Sequence, residues 1–493
     1  MFKSGIIVMC ITMLSRILGL GRTAIIASFF GATALTDAYF SAFKIANLFR
    51  QLLGEGALGT VFIPVYNDKV KEVGEVEARR LMFSILNFLF LFLIVIFSIS
   101  LLFSREIIEL TVQGYPIETK ILASKLLKIM SVYIVFIGMS GMICAILNNY
   151  RKFAVASSTA IYFNLAIIVS AIYFKDRYGI YALCIGVVIG GLLQFLVVLP
   201  SFFKLIKTYK FTFDYKDPSL KLIFVMLIPM LVGVFAKQFN VVIDQFFASY
   251  LNEGGVSALE NATRIYNLPL GVFGISIATV VYPSLSRAVS NNENIKAKES
   301  IEMGLKLLMF LVIPSVIALT FLSEEIVRII LEHGNFDKNA VKITSEALAY
   351  YSIGLFFYTA NHIMNRVFYS KKNTKDPVKY SIISIIINII LNFILIKTMA
   401  HKGLALATAI ASAFNFFQLY IKNNKTYISL NTLDLVKFLL ISILTGISAY
   451  LLTSFFNGDI IKIIIFSLAY ISMWGYSLLK RGLDVFRGAK LSQ

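Results

Sequence analysis

Six charged residues lie inside or beside apolar runs between Met13 and Asn67: Arg16, Arg22, Asp37, Lys44, Arg50 and Glu55. A charge at the centre of a bilayer costs roughly 2.5–3.5 kcal/mol on insertion scales, so such residues face a cavity or a partner. Four of the six are cations, which implies a watery, positively charged chamber suited to an anionic occupant. Asp37 and Lys44 are seven residues apart and share one helical face, where they could pair or both line a cleft. Arg50 lies one turn before Gly54-Glu55-Gly56, where the backbone can bend. Arg264, within NATRIYNLPLGVFG, adds a cation from the second half of the chain. Arginine suits phosphate because its planar fork binds two oxygens and its charge does not titrate away. A cluster of arginines therefore fits a diphosphate. The plainer reading is that these arginines sit at span ends, snorkel to headgroups, or pair with Asp37 and Glu55.

A second set of polar residues lies in later apolar segments. Asp244, with Asn388 and Asn392 one turn apart and Thr408 beyond them, offers oxygen ligands for a hard cation such as Na⁺. Asp244 could instead carry a proton or pair with Lys237, and Asn164 and Asn388 could be hydrogen-bond glue between helices. The cysteines Cys10, Cys144 and Cys184 all sit in apolar runs, with no disulfide or metal pattern. His333, His362 and His401 are scattered. No P-loop and no nucleophile constellation is evident, so neither ATP hydrolysis nor enzyme chemistry is expected. Energy would come from a Na⁺ or H⁺ gradient, the membrane potential, or consumption of the product.

The elements that must position these residues are membrane helices. Hydrophobic residues make up 58% of 493, charged residues 15%, and mean hydropathy is +0.80. Fourteen apolar runs approach the ~20 residues needed to cross a bilayer as a helix. They lie near 5–29, 34–66, 81–104, 121–149, 154–174, 179–203, 219–250, 257–286, 301–322, 341–369, 378–397, 403–421, 433–455 and 459–479. A β-barrel would instead show alternating ten-residue segments. The first run contains Arg16 and lacks a small-residue cleavage site, so it is expected to be a retained span. The second is expected to bend or break at Gly54, Gly56 and Gly59, and Pro229, Pro269 and Pro314 mark further kinks. About 25 basic residues fall in loops and termini on one side against about 10 on the other, which predicts both termini in the cytoplasm. The same rule, rather than nucleic-acid binding, accounts for most of the net charge of +19.

The chain also repeats itself. Ser104-Arg105-Glu106-Ile107-Ile108 resembles Ser323-Glu324-Glu325-Ile326-Val327, and Thr60-Val61-x-x-Pro64 matches Thr279-Val280-x-x-Pro283 at the same offset of 219. Beyond Lys371–Pro377 the offset becomes 224, pairing Asn164 with Asn388, Gly179 with Gly403 and Gln194 with Gln418. An even number of spans per repeat predicts two six-helix lobes related by a pseudo-twofold axis along the membrane normal, with substrate between them. The expected division is an N-lobe over 1–210, a C-lobe over 211–425, and two extra helices over 426–493. The whole is an all-α polytopic membrane protein.

The run SRILGLGR…TDAYFSAFKIANLFRQLLGEGALGTVFIPVYN resembles the signature of the MurJ (MviN) family, as do ATRIYNLPLGVFGISIATVVYPSLSR and LEHGNFD. These are lipid II flippases of bacterial peptidoglycan synthesis, within the multidrug/oligosaccharidyl-lipid/polysaccharide exporter superfamily. The likeness covers essentially the whole chain. It implies movement of lipid-linked muropeptide from the cytoplasmic to the outer leaflet of the bacterial inner membrane by alternating access. It matches the family's cavity arginines to Arg16, Arg22, Arg50 and Arg264, its cavity acid to Asp37, and its GEGA turn to Gly54-Glu55-Gly56-Ala57. Lys44, Glu55, Gly54 and Gly56 are then expected to organise the cavity. Thr23 and Gln51 depart from the acid and the second base that many members carry there. The expected partners are lipid II, membrane lipids and the cell-wall synthesis machinery. The undecaprenyl tail would follow a groove along the last two helices. A flippase for another polyprenyl-diphosphate sugar shares the same charge logic. A cation-coupled multidrug exporter would want acids where this chain has arginines.

Overall fold

In the computed structural model, residues 2–49, 57–206, 209–291, 293–371 and 373–481 are described. All the regular elements among them are helical: α1 (Phe2–Phe30), α2 (Ala34–Phe49), α3 (Ala57–Leu102), α4 (Ser104–Thr111), α5 (Ile117–Met130), α6 (Tyr133–Asn149), α7 (Phe153–Tyr178), α8 (Tyr181–Ile206), α9 (Pro218–Ala248), α10 (Gly255–Pro269), α11 (Ile275–Ser290), α12 (Asn294–Phe321), α13 (Ser323–Leu331), α14 (Lys338–Ile353), α15 (Leu355–Ser370), α16 (Lys375–Thr426), α17 (Thr432–Thr453) and α18 (Asp459–Arg481). With no water in the hydrocarbon core, each span satisfies its backbone internally, and only a helix does this within one segment. Seven described helices are long and apolar enough to cross a membrane, and an eighth span forms if the bent pair α5–α6 is counted as one. The chain is thus a multi-pass membrane protein.

The fourteen apolar runs map onto these helices in order, with three kinds of interruption. α3 joins the end of the second run to the third, and α16 carries the eleventh and twelfth, each across a residue outside the helical region, Gly74 (φ 81°) and Ala400 (φ 49°). α5 and α6 meet at a 45° bend. Pro269 closes α10, and a π-helical turn over Leu270–Gly274 joins it to α11. The break expected at Gly54–Gly56 lies outside the described residues. The internal repeat appears as matched elements. The Ser104 and Ser323 segments are the short helices α4 and α13, and α7–α8 corresponds to the two halves of α16.

Two compact units are present, Met1–Ser257 with His333–Phe336, and Ala258–Glu332 with Asp337–Gln493. This contact division differs from the repeat division at 210/211, because α9 packs on α3 and also touches α2 and α4. In the first unit α1 lies on α7, α7 on α8, and α3 on α6. Its core includes Phe62, Leu81, Met82, Leu86, Leu93 and Ile146. At the Gly74 kink, Glu75 pairs with Arg79 at 3.0 Å and accepts a hydrogen bond from Tyr150 at 2.9 Å. The Arg79 guanidinium, then the Tyr150 hydroxyl, hold the Glu75 carboxyl below the usual carboxylate range.

In the second unit α12 packs on α11, α15 and α17, and α17 packs on α18. The last two helices are therefore built into this unit rather than standing apart. Lys306 pairs with Asp434 at 2.6 Å and the Asn431 N–H donates to Glu302 at 2.6 Å, fixing the start of α17. Arg328 pairs with Asp459 at 3.0 Å and Lys462 with Glu325 at 2.8 Å, fixing the start of α18. Between these ends the fully buried Trp474 packs edge-on to Phe310 and against Phe438.

Candidate functional site

The most elaborated polar structure in the first unit surrounds the corner between α1 and α2. A helix leaves four N–H groups unpaired at its start and four carbonyls at its end, and buried ends need partners. Here the partners come from far along the chain. The Asn335 backbone N–H donates to the Ser28 carbonyl and its Nδ2 to the Phe29 carbonyl, both at 2.7 Å, capping the end of α1. The Ala34 N–H, at the start of α2, donates to Glu253 Oε1 at 2.9 Å.

Asp37 sits in the first turn of α2 and is 3% exposed. Its Oδ2 accepts the Gly254 N–H at 2.7 Å, and its Oδ1 accepts the Ser257 N–H at 2.7 Å and the Ser257 hydroxyl at 2.6 Å. Ser257 Oγ also lies 2.8 Å from Thr36 Oγ1. Because α10 begins at Gly255, the carboxylate takes the place of an N-cap and meets the positive end of the helix. The starts of α2 and α10 are thus capped reciprocally, by Glu253 and Asp37. Nearby, Gln245 Nε2 donates to Ser41 Oγ at 2.7 Å, and Ser41 Oγ lies 2.8 Å from the Tyr115 hydroxyl.

This geometry answers the open question about Asp37 and Lys44. Their shared face does not become a pair, since the Asp37 carboxylate is engaged by residues 254 and 257. Lys44 is half-buried on the same helix.

The arginines differ from one another. Arg22 is 8% exposed, with its guanidinium 5.7 Å from the centroid of the Phe163 ring. Phe163 stacks on Phe43 and packs against Tyr133. A cation over an aromatic face is stabilised most when desolvated, so this wall supports a charge away from bulk water. Asn164, beside Phe163, donates to the Ser15 carbonyl at 3.1 Å and ties α7 to α1, the interhelical role open to it from the sequence. Arg16 is half-buried on α1. Arg264 is half-buried on α10 and makes no ion pair or hydrogen bond among the described residues. Arg50, Gly54, Glu55 and Gly56 lie outside the described residues.

The oxygen set proposed for a cation has local partners. Asp244 Oδ2 accepts from Asn240 Nδ2 at 3.1 Å, one turn away on α9. Asn392 Nδ2 donates to Asn388 Oδ1 at 3.2 Å, and the Thr408 hydroxyl donates to the Leu404 carbonyl at 3.1 Å. Asp244 belongs to the first unit and the other three to the second. The Lys237 side chain lies outside the described residues. Along the last helices, Val436, Leu440, Leu444, Ile447 and Leu451 form an exposed apolar stripe on α17, where a lipid-tail groove is expected.

Four residues of the corner, Glu253, Gly254, Ser257 and Asn335, carry no signal of chemistry in the sequence by themselves. Two clues are available: Asn335 lies in the LEHGNFD motif, and Glu253 lies 219 positions after Ala34, the offset of the repeat, two residues before α10 begins.

The helix arrangement is that of exporters of the MATE type. An inward-facing multidrug resistance MATE family transporter of the MOP superfamily superposes with a TM-score of 0.70 over 85% of this chain and 97% of that one. At 14% identity this likeness defines the fold alone. A solved structure described as lipid II flippase MurJ in an inward closed conformation superposes with a TM-score of 0.84, at 34% identity over 96% of this chain and 99% of that one. Probable lipid II flippases MurJ from Aquifex aeolicus (34% identical over 471 residues, 94% of this chain and 91% of the relative) and Buchnera aphidicola (32% over 423 residues, 85% and 83%) are similar in sequence. The family profile described as lipid II flippase MurJ matches residues 26–471, and the chain belongs to that family.

Proposed function

We propose that this protein flips lipid II, the undecaprenyl-diphosphate-linked peptidoglycan precursor, from the cytoplasmic to the outer leaflet of the bacterial inner membrane. Membership of the family and the relatives named as lipid II flippases support this substrate. The observation that carries the mechanism is Arg264, a half-buried arginine with no ion pair or hydrogen bond among the described residues. A guanidinium that is partly hydrated and has donors to spare can take two oxygens of an anionic ligand in charge-assisted hydrogen bonds. In this reading Arg264, with Arg16, Arg22 and Arg50, holds the diphosphate in a cationic central cavity. Lys44, Glu55, Gly54 and Gly56 organise that cavity, and the tail runs along the stripe on α17. Both termini face the cytoplasm, as the basic loops require. Asp37 acts by a different route, closing the outer side of the pathway through Gly254 and Ser257 while the inner side is open. Alternating access then requires this junction to part. The driving force is a Na⁺ or H⁺ gradient or the membrane potential, with Asp244, Asn388, Asn392 and Thr408 as ligands of the coupling ion.

Complementation tests the substrate. Expression in a bacterium depleted of its own lipid II flippase is expected to restore growth and cell shape. Lysis despite normal membrane insertion would count against lipid II and favour another polyprenyl-diphosphate sugar.

A further inference from the structure

The start of α16 carries an open, shallow groove lined by Thr374, Lys375, Val378, Lys379, Ile382 and Ile383. Its two lysines are one turn apart on one face, and both are exposed. Neither makes an ion pair or hydrogen bond among the described residues. The acid between them is already engaged, since Asp376 accepts from Asn373 Nδ2 at 2.9 Å and faces Lys422 at 4.0 Å. The helix N-terminus adds its own positive end beneath the pair. Below the lysines the same face becomes apolar and stays exposed, through Val378 (48%), Ile382 (43%), Ile386 (51%) and Ile390 (52%).

A polar anion with a long apolar chain matches this order of groups. We propose that the start of α16 is a binding site for an anionic phospholipid. Its phosphate lies between Lys375 and Lys379, and one acyl chain runs along the Val378–Ile382–Ile386–Ile390 stripe. The occupant is a lipid rather than free phosphate because the cationic pair opens onto four exposed aliphatic side chains that soluble phosphate would leave uncovered. The site lies wholly within the second unit.

Native mass spectrometry of the full-length protein in detergent tests this, using phosphatidylglycerol, phosphatidylcholine and inorganic phosphate as probes. One phosphatidylglycerol is expected to bind tightly, and phosphatidylcholine more weakly. A K375A/K379A variant should bind phosphatidylglycerol about 30-fold more weakly, from about 1 kcal/mol per lysine near an anionic lipid surface. A K375R/K379R variant should retain binding, and K425A/K437A, which removes the same charge elsewhere, should not change it. Equal binding of the two lipids, or undiminished phosphatidylglycerol binding by K375A/K379A, would overturn the proposal. So would displacement of phosphatidylglycerol by millimolar phosphate, which would mark a site for the free anion.

Discussion

Removing the Asp37 carboxylate should open the corner that it closes, by an amount that follows from its three hydrogen bonds. In Asp37→Ala the Ser257 hydroxyl can turn to Thr36 Oγ1, 2.8 Å away. The N–H groups of Gly254 and Ser257, each 2.7 Å from the carboxylate, have no such substitute. Leaving a buried donor unpaired costs about 1–3 kcal/mol. Two orphaned donors therefore weaken the closed junction by about 2–6 kcal/mol, at least a thirtyfold shift toward the open state. Asp37→Asn keeps one acceptor oxygen for Ser257 but turns an NH₂ toward Gly254, so about 1–3 kcal/mol is lost. Ala38, the next residue, is fully buried and reports on opening. In a background with Cys10, Cys144 and Cys184 replaced, an Ala38→Cys thiol should react slowly with a membrane-impermeant maleimide added outside. Reactivity should rise in the order wild type, Asp37→Asn, Asp37→Ala. Equal labelling in all three, at equal thermal stability, would show that the carboxylate does not hold the corner closed.

Further expectations concern stability and pH. Gly334 has φ 60°, and an added Cβ would lie 2.4 Å from the Ser28 carbonyl oxygen, so Gly334→Ala should displace Asn335 from the end of α1 and lower the melting temperature, whereas Gly475→Ala, where a Cβ meets nothing, should not. Trp474→Ala leaves a cavity between Phe310 and Phe438 and should cost about 3–5 kcal/mol, seen as early unfolding of α17–α18 in hydrogen exchange. Burial pulls the His401 pKa below its ordinary value, with Glu346, 3.0 Å away, partly opposing. The folded state therefore holds fewer protons than the unfolded one, and the stability His401 contributes is complete above about pH 6.5 and is lost as pH falls below it. His401→Gln should flatten that part of a melting-temperature profile between pH 7 and 5, and an unchanged slope would refute the assignment.

The helices were legible because the membrane leaves the backbone few options: each apolar run becomes one helix or a broken pair of helices. Pro269 marks a break as expected, whereas α12 continues through Pro314, and Gly74 and Ala400 leave the helical region in the gaps between apolar runs, where no break inside a helix is foreseen. The buried charges were legible for the same physical reason, since each is expensive in lipid. Their partners were not. Asp37 invited pairing with Lys44, because helical spacing sees only neighbours along the chain, yet its partners are two main-chain N–H groups and a hydroxyl more than 210 residues away. Main-chain donors leave no trace in residue identity. Likewise α9 follows the repeat in sequence but packs on α3, which moves the compact boundary to Ser257.

Transport of lipid II in vesicles by wild type and Arg264→Ala is the most direct test of the proposed diphosphate capture by Arg264. Loss of one charge-assisted contact of about 1.5–3 kcal/mol predicts flipping slowed roughly 10- to 150-fold, with insertion, yield and melting temperature unchanged. Flipping at the wild-type rate by Arg264→Ala would contradict that capture.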